Sequence, residues 1–190
     1  MLSGVDELNP PLAAIFGLAG TTLTPQEKSF FAAANPLGFI LFARNCENPV
    51  QVKALTGAIH QCMGREVPFL MDQEGGRVQR LKPPHWKQYP PAQSFGGAFL
   101  RDFAKGRTEL EQSMGSLADE LAAAGFNVNC APVLDVHFPE THEAIGDRAF
   151  SNDPEMVAAL GAIVCRTLLA GGIIPVVKHM PGLGRADLDT

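Results

Sequence analysis

VPFLMDQEGGRVQR, residues 67–80, is an apolar run that ends abruptly in charge. Its apolar part is continuous instead of alternating, which marks a strand (67–72) buried on both faces, and hence a parallel sheet covered by helices. Asp72, Gln73 and Glu74 stand at the strand's end, Gly75-Gly76 lets the chain turn sharply, and Arg77 and Arg80 follow.

The same pattern recurs on both sides. AAIFGLAG (13–20), GFILFA (38–43), NVNCAPVLDV (127–136) and IIPVVKH (173–179) read as four further strands. Between them lie helices. TPQEKSFFAAAN opens with Thr24 as N-cap, Pro25 at the first helical position and Glu27 completing a capping box. NPVQVKALTGAIHQCMG opens with Asn48-Pro49 and places Val52, Leu55, Ile59 and Met63 on one face. ELEQSMGSLADELAAAGF (109–126) carries a Leu110, Met114, Leu117, Leu121 stripe and ends near Gly125, and the last helix opens at Asp153-Pro154-Glu155 and closes at Gly171-Gly172. Residues 77–100, rich in Pro, Gly and aromatic residues, read as a long loop.

Five strands alternating with four helices predict a parallel sheet with right-handed crossovers. Two architectures fit, an open doubly wound sheet and a (β/α)₈ TIM barrel. Polar residues follow several strands: Asp72 to Glu74 after the third, Asp135 and His137 at the fourth, Lys178 and His179 at the fifth. A site spread over many strand ends favours the barrel, whereas an open sheet gathers its site at one switch point. A whole barrel takes about 250 residues, so the 190 present are expected to form an incomplete one, about the first five β/α units and a single partial domain over 1–190.

Composition narrows the partners. Hydrophobic residues are 46%, charged residues 18% and the net charge is −5 with no basic block, which argues against nucleic acid. The longest apolar stretch, LGAIVCRTLLAGGIIPVV, contains Arg166, a Gly-Gly pair and Pro175, and reads as helix end, turn and strand instead of a membrane span. The first residues lack the basic start and cleavage site of a signal peptide, so a cytoplasmic location and no membrane partner are expected. Cys46, Cys62, Cys130 and Cys165 have no CxxC spacing and read as reduced thiols in or near the core.

The chemistry concentrates in a few places. In DQEGGRVQR, carboxylates at a strand end can accept paired hydrogen bonds from sugar hydroxyls, and Arg77 or Arg80 can fix a carboxylate in place. Lys178 and His179 can both face one pocket only if their strand ends there, as Pro181-Gly182 suggests. Arg148 in GDRAF is a candidate anion or hydroxyl ligand. GLAGTT and PGLGR lack the full spacing of phosphate-binding loops. Asp135-Val136-His137 has no third ligand at convincing spacing, and a strand-end hydrogen bond explains Asp135 better than a metal does. Trp86 and Tyr89 read either as a sugar-stacking rim or as loop packing.

GFILFARN, DQEGGRVQR, NVNCAPVLDV, IGDRAFSNDP and VVKHMPGLGR, in that order, resemble the bacterial β-N-acetylhexosaminidases of glycoside hydrolase family three. The resemblance implies a cytoplasmic (β/α)₈ barrel that needs no metal or cofactor. It would remove N-acetylglucosamine from peptidoglycan-derived muropeptides with retention of configuration. It implies that Asp72, Arg80, Arg148, Lys178 and His179 bind the substrate, and that Asp189 matches the aspartate that assists a catalytic histidine, with Thr190 matching the serine between them. Leu183 departs from the family's usual histidine. By the same resemblance the acid/base histidine falls just after Thr190 and the aspartate nucleophile further on. The 190 residues alone are therefore expected to lack useful hydrolase activity, with a non-catalytic sugar-binding pseudoenzyme as the alternative.

Overall fold

The computed structural model describes residues 10–188. Five parallel strands, β1 (Leu12–Phe16), β2 (Pro36–Leu41), β3 (Phe69–Met71), β4 (Val128–Asn129) and β5 (Ile174–Pro175), lie side by side in the order β1-β2-β3-β4-β5. A doubly wound sheet reverses strand order at its switch point; a barrel adds each strand beside the last. The unbroken order is that of the first five units of a (β/α)₈ barrel.

The helices begin where their caps dictate. In α1 (Pro25–Ala34) the Thr24 hydroxyl accepts from the Glu27 N–H at 3.1 Å and the Glu27 carboxylate accepts from the Thr24 N–H at 2.9 Å. The same carboxylate also accepts from the Ala19 N–H at 2.9 Å, which ties the turn after β1 to the helix. Asn48 caps α2 (Pro49–Met63), and Gly64 closes it with φ +65, a left-handed conformation that suits glycine. Val52, Leu55 and Ile59 of α2 pack with Phe39, Leu41, Phe69 and Met71 of β2 and β3, all 2% exposed or less. Each such side chain contributes roughly 1.5–3 kcal/mol by leaving water.

The segment 77–100 is not all loop. Its second half is a helix, α3 (Ala92–Arg101), which Pro90, Pro91 and the Gly96-Gly97 pair conceal from a propensity reading. Gly96 is there for closeness: a Cβ on it would sit 1.9 Å from the Phe150 carbonyl oxygen. The following helix, α4 (Phe103–Ala123), starts at Phe103 instead of Glu109, because Asp102 caps it through the Lys105 N–H at 3.0 Å. Gly106 lets α3 and α4 meet, since a Cβ there would lie 2.5 Å from the Phe99 nitrogen. The last helix, α5 (Pro154–Ala170), opens and closes where expected.

β4 and β5 are shorter than the apolar runs that predict them. Pro132 and Pro175 have no N–H to give to a ladder. The two chains nevertheless continue together, with the Leu134 N–H donating to the Lys178 carbonyl at 2.7 Å and the Lys178 N–H to the Pro132 carbonyl at 3.2 Å. Among the described residues, no helix is long and apolar enough to cross a membrane.

Candidate functional site

The site grows from the tip of β3. Strand alternation sends Asp72 and Glu74 one way and Gln73 the other. Gln73 is 1% exposed; its side-chain oxygen accepts the N–H groups of Arg80 (2.9 Å) and Leu81 (3.1 Å), and its amide donates to the Leu81 carbonyl (3.0 Å). The buried Asn129 of β4 pairs with the Gln73 backbone in both directions. The loop 74–80 is thereby folded back, and Arg80 is set beside Asp72.

An alternating chain of charges results. Arg80 Nη2 donates to Asp72 Oδ2 at 3.0 Å, and Lys178 Nζ donates to Asp72 Oδ1 at 2.9 Å. The same Nζ lies 2.5 Å from Glu74 Oε1. Arg148 grips Glu74 with two prongs, Nε to Oε2 at 2.8 Å and Nη2 to Oε1 at 2.9 Å. Burial alone would raise the Asp72 carboxyl, but Lys178 and Arg80 outweigh it and hold the group below its ordinary value of 3.8. The paired Glu74 carboxylate raises Arg148 further. Beside the chain, burial first and Asp72 second push the Cys130 thiol up, so it stays an uncharged thiol.

Lys178 and His179 both reach this mouth, and the peptide between them is cis. The His179 Nδ1 lies 2.6 Å from Asp135 Oδ2, while Asp135 Oδ1 accepts from the Leu183 N–H at 2.6 Å. Asp135 thus makes the strand-end hydrogen bonds expected of it, and Leu183 contributes its backbone N–H. Among the described residues, no cluster of His, Cys, Asp and Glu could hold a metal ion.

Arg77 stands outside the cluster. Its Nε pairs with Asp147 at 2.9 Å and its Nη2 donates to the carbonyls of Glu143, Ala144 and Ile145 at 2.6–3.2 Å. It fastens the loop that carries Arg148. Tyr89 is 1% exposed, and its backbone N–H donates to the buried Gln79 side chain, so it packs the loop and is no sugar rim. Trp86 packs against the same core and meets His85 edge-on. Glu74 reads in the sequence as a strand-tip carboxylate but is not among the residues that the resemblance implies bind substrate; its two cations, Arg148 and Lys178, lie far along the chain. Asp189 lies outside the described residues.

Residues 20–190 match the Glycosyl hydrolase family 3 N terminal domain. The chain belongs to glycosyl hydrolase family 3. Its likeness to individual members of the family is substantial. It is 38% identical over 176 residues to a beta-hexosaminidase of Stenotrophomonas maltophilia, covering 93% of this chain and 52% of the relative. It is 39% identical over 182 residues to a beta-hexosaminidase of Hydrogenovibrio crunogenus, covering 95% and 50%. The solved structure of NagZ from Neisseria gonorrhoeae in complex with N-trifluoroacetyl-D-glucosamine matches with a TM-score of 0.87 at 34% identity, over 92% of this chain and 52% of that one. The chain spans about half the length of these relatives.

Proposed function

We propose that the linked cluster of Asp72, Arg80, Lys178 and Arg148, with His179 beside it, grips a terminal N-acetylglucosamine. The protein would then be a β-N-acetylhexosaminidase acting with retention on peptidoglycan-derived muropeptides in the cytoplasm. The observation that carries this reading is the charge compensation. Three cations and two carboxylates stand in one connected run of contacts at 2.5–3.0 Å. Such a surface suits a neutral ligand rich in hydroxyls. Each hydroxyl needs a donor for its lone pairs and an acceptor for its proton, and charged partners make those hydrogen bonds stronger than neutral ones. The relative solved with a glucosamine derivative supports the same ligand class.

Retention requires two displacements, with one group attacking the anomeric carbon and another protonating the leaving oxygen. The cluster does neither. Its residues hold and orient the sugar ring, which is a precondition for both steps. On the family resemblance Asp189 would assist a histidine acid/base, and that histidine and the nucleophile would have to come from outside these 190 residues. General acid/base help is worth about 10² to 10⁴ in rate, so the 190 residues without it should have no useful hydrolase activity. A pseudoenzyme reading shares the same cluster and differs only in turnover by the complete protein.

The test has two arms. Calorimetric titration of the complete protein with N-acetylglucosamine should show saturable binding that Asp72→Ala and Lys178→Ala each abolish. Binding that survives both changes would remove the cluster from the site. Release of p-nitrophenol from the β-N-acetylglucosaminide by the complete protein should be measurable, and failure there with binding intact would establish the pseudoenzyme instead.

A further inference from the structure

Asp135 takes no part in the charge run just described, yet it is the most enclosed carboxylate at the site, with a side-chain exposure of 0%. Both of its oxygens are committed. Oδ1 accepts from the Leu183 N–H at 2.6 Å, and a backbone N–H can only donate. Oδ2 lies 2.6 Å from His179 Nδ1. With a carboxylate oxygen as acceptor, the proton of that bond resides on Nδ1. A neutral imidazole carries one ring proton, so Nε2 is left with its lone pair. Among the described residues Nε2 has no hydrogen-bond partner, and the ring is 29% exposed.

The neighbouring cations make a bare Nε2 useful. Lys178, Arg80 and Arg148 supply donors to hydroxyl lone pairs. The hydroxyl protons then need acceptors, and a bare Nε2 adds an uncharged one to the lone pairs that Asp72 and Glu74 still have beside their cations. We propose that Asp135 is a positioning residue that presets the tautomer of His179, so that Nε2 accepts a hydrogen bond from a hydroxyl of the bound sugar. This rests on the N-acetylglucosamine reading and adds the direction of one hydrogen bond to it.

The turn after β5 does not depend on Asp135 alone. Gly184 lies so close to Val136 that a Cβ would meet the Val136 carbonyl oxygen at 2.0 Å. The His142 N–H donates to the Ala186 carbonyl at 3.0 Å, and the Thr141 hydroxyl donates to the Gly184 carbonyl. Asp135→Asn should therefore leave the turn in place, with the amide oxygen still accepting from Leu183. Its NH₂ would face Nδ1, make that nitrogen the acceptor and move the ring proton to Nε2. The hydroxyl would lose its acceptor.

The protein holds five histidines, so nitrogen-15 spectra of imidazole-labelled protein, with His179→Gln to assign the signal, read the tautomer directly. The neutral His179 ring should carry its proton on Nδ1 in the wild type and on Nε2 in Asp135→Asn. Affinity for N-acetylglucosamine, measured by calorimetry, should fall about tenfold or more in the variant. A wild-type ring protonated on Nε2 overturns the proposal even if the variant does not fold. So does a variant whose tautomer switches while its affinity holds. Absence of N-acetylglucosamine binding by the wild type itself sinks the sugar reading, and the wild-type tautomer then decides separately whether Asp135 sets the ring.

Discussion

Glu74 is held by a bidentate guanidinium on one side and an ammonium on the other, with a side-chain exposure of 8%. Breaking a buried pair by neutralising one partner is costly because the other charge stays buried. Glu74→Gln should destabilise the fold by about 3 kcal/mol in urea melts and should weaken N-acetylglucosamine binding with it, since Lys178 and Arg148 lose their common anchor. A variant that melts like the wild type would show that the two cations find other partners. Asp72 makes a pH prediction. Its folded value lies below the ordinary 3.8. The stability from its pairs is therefore fully present above that ordinary value and is lost as pH falls through the lower folded value. Stability should stay level from neutral pH to about 5 and decline below about 4, a decline that Asp72→Asn should reduce, and sugar affinity should fall only at the lower pH where the folded Asp72 protonates. At this scale the sequence shows which residues stand at strand tips. It does not show which tips touch, because Lys178 and Asp72 meet across 106 positions.

Among the elements, α3 sets the largest gap between sequence and structure. Glycine is a poor helix former, so Gly96-Gly97 after Pro90-Pro91 reads as loop. The helix forms because tertiary closeness outweighs propensity: Gly96 lies flat against the backbone of Phe150, two residues beyond Arg148. Gly96→Ala should cost about 1–3 kcal/mol through overpacking and should also weaken sugar binding by shifting the loop that carries Arg148. Gly97→Ala is the contrast. Its added Cβ meets only the flexible end of Arg101 at 3.4 Å, so better helix propensity should stabilise by about 0.5–1 kcal/mol. Thermal melts of the two variants moving in the same direction would refute this account of the helix. Where caps are explicit, as at Thr24, Asn48 and Asp153, the helix starts were legible to the residue. β4 and β5 were over-read because apolar residues continue past prolines, which have no N–H to give to a ladder.

Across the whole molecule, alternation of strands and helices predicted a parallel sheet but fitted an open doubly wound sheet as well as a barrel; polar residues at several strand ends favoured the barrel, and the consecutive strand order shows it. β1 and β5 flank the sheet, and among the described residues Leu12, Ile15, Ile174, Val176 and Val177 there are 36–56% exposed. Unpaired edges with apolar residues invite pairing with other chains. The 190-residue polypeptide on its own should self-associate in light scattering and bind an apolar dye; a monodisperse, dye-free sample would contradict this. The charge run across β3 and β5 also bears on how the site comes into being. Without β5 in place, Asp72 keeps Arg80 and Glu74 keeps Arg148, but the two carboxylates lack the ammonium that joins them; Lys178 closes the circuit. A sugar that recognises only the closed arrangement acts as a latch on that docking. At a concentration 100 times its Kd it would favour the docked state by about 2.7 kcal/mol, so a bound sugar would help keep β5 in its place.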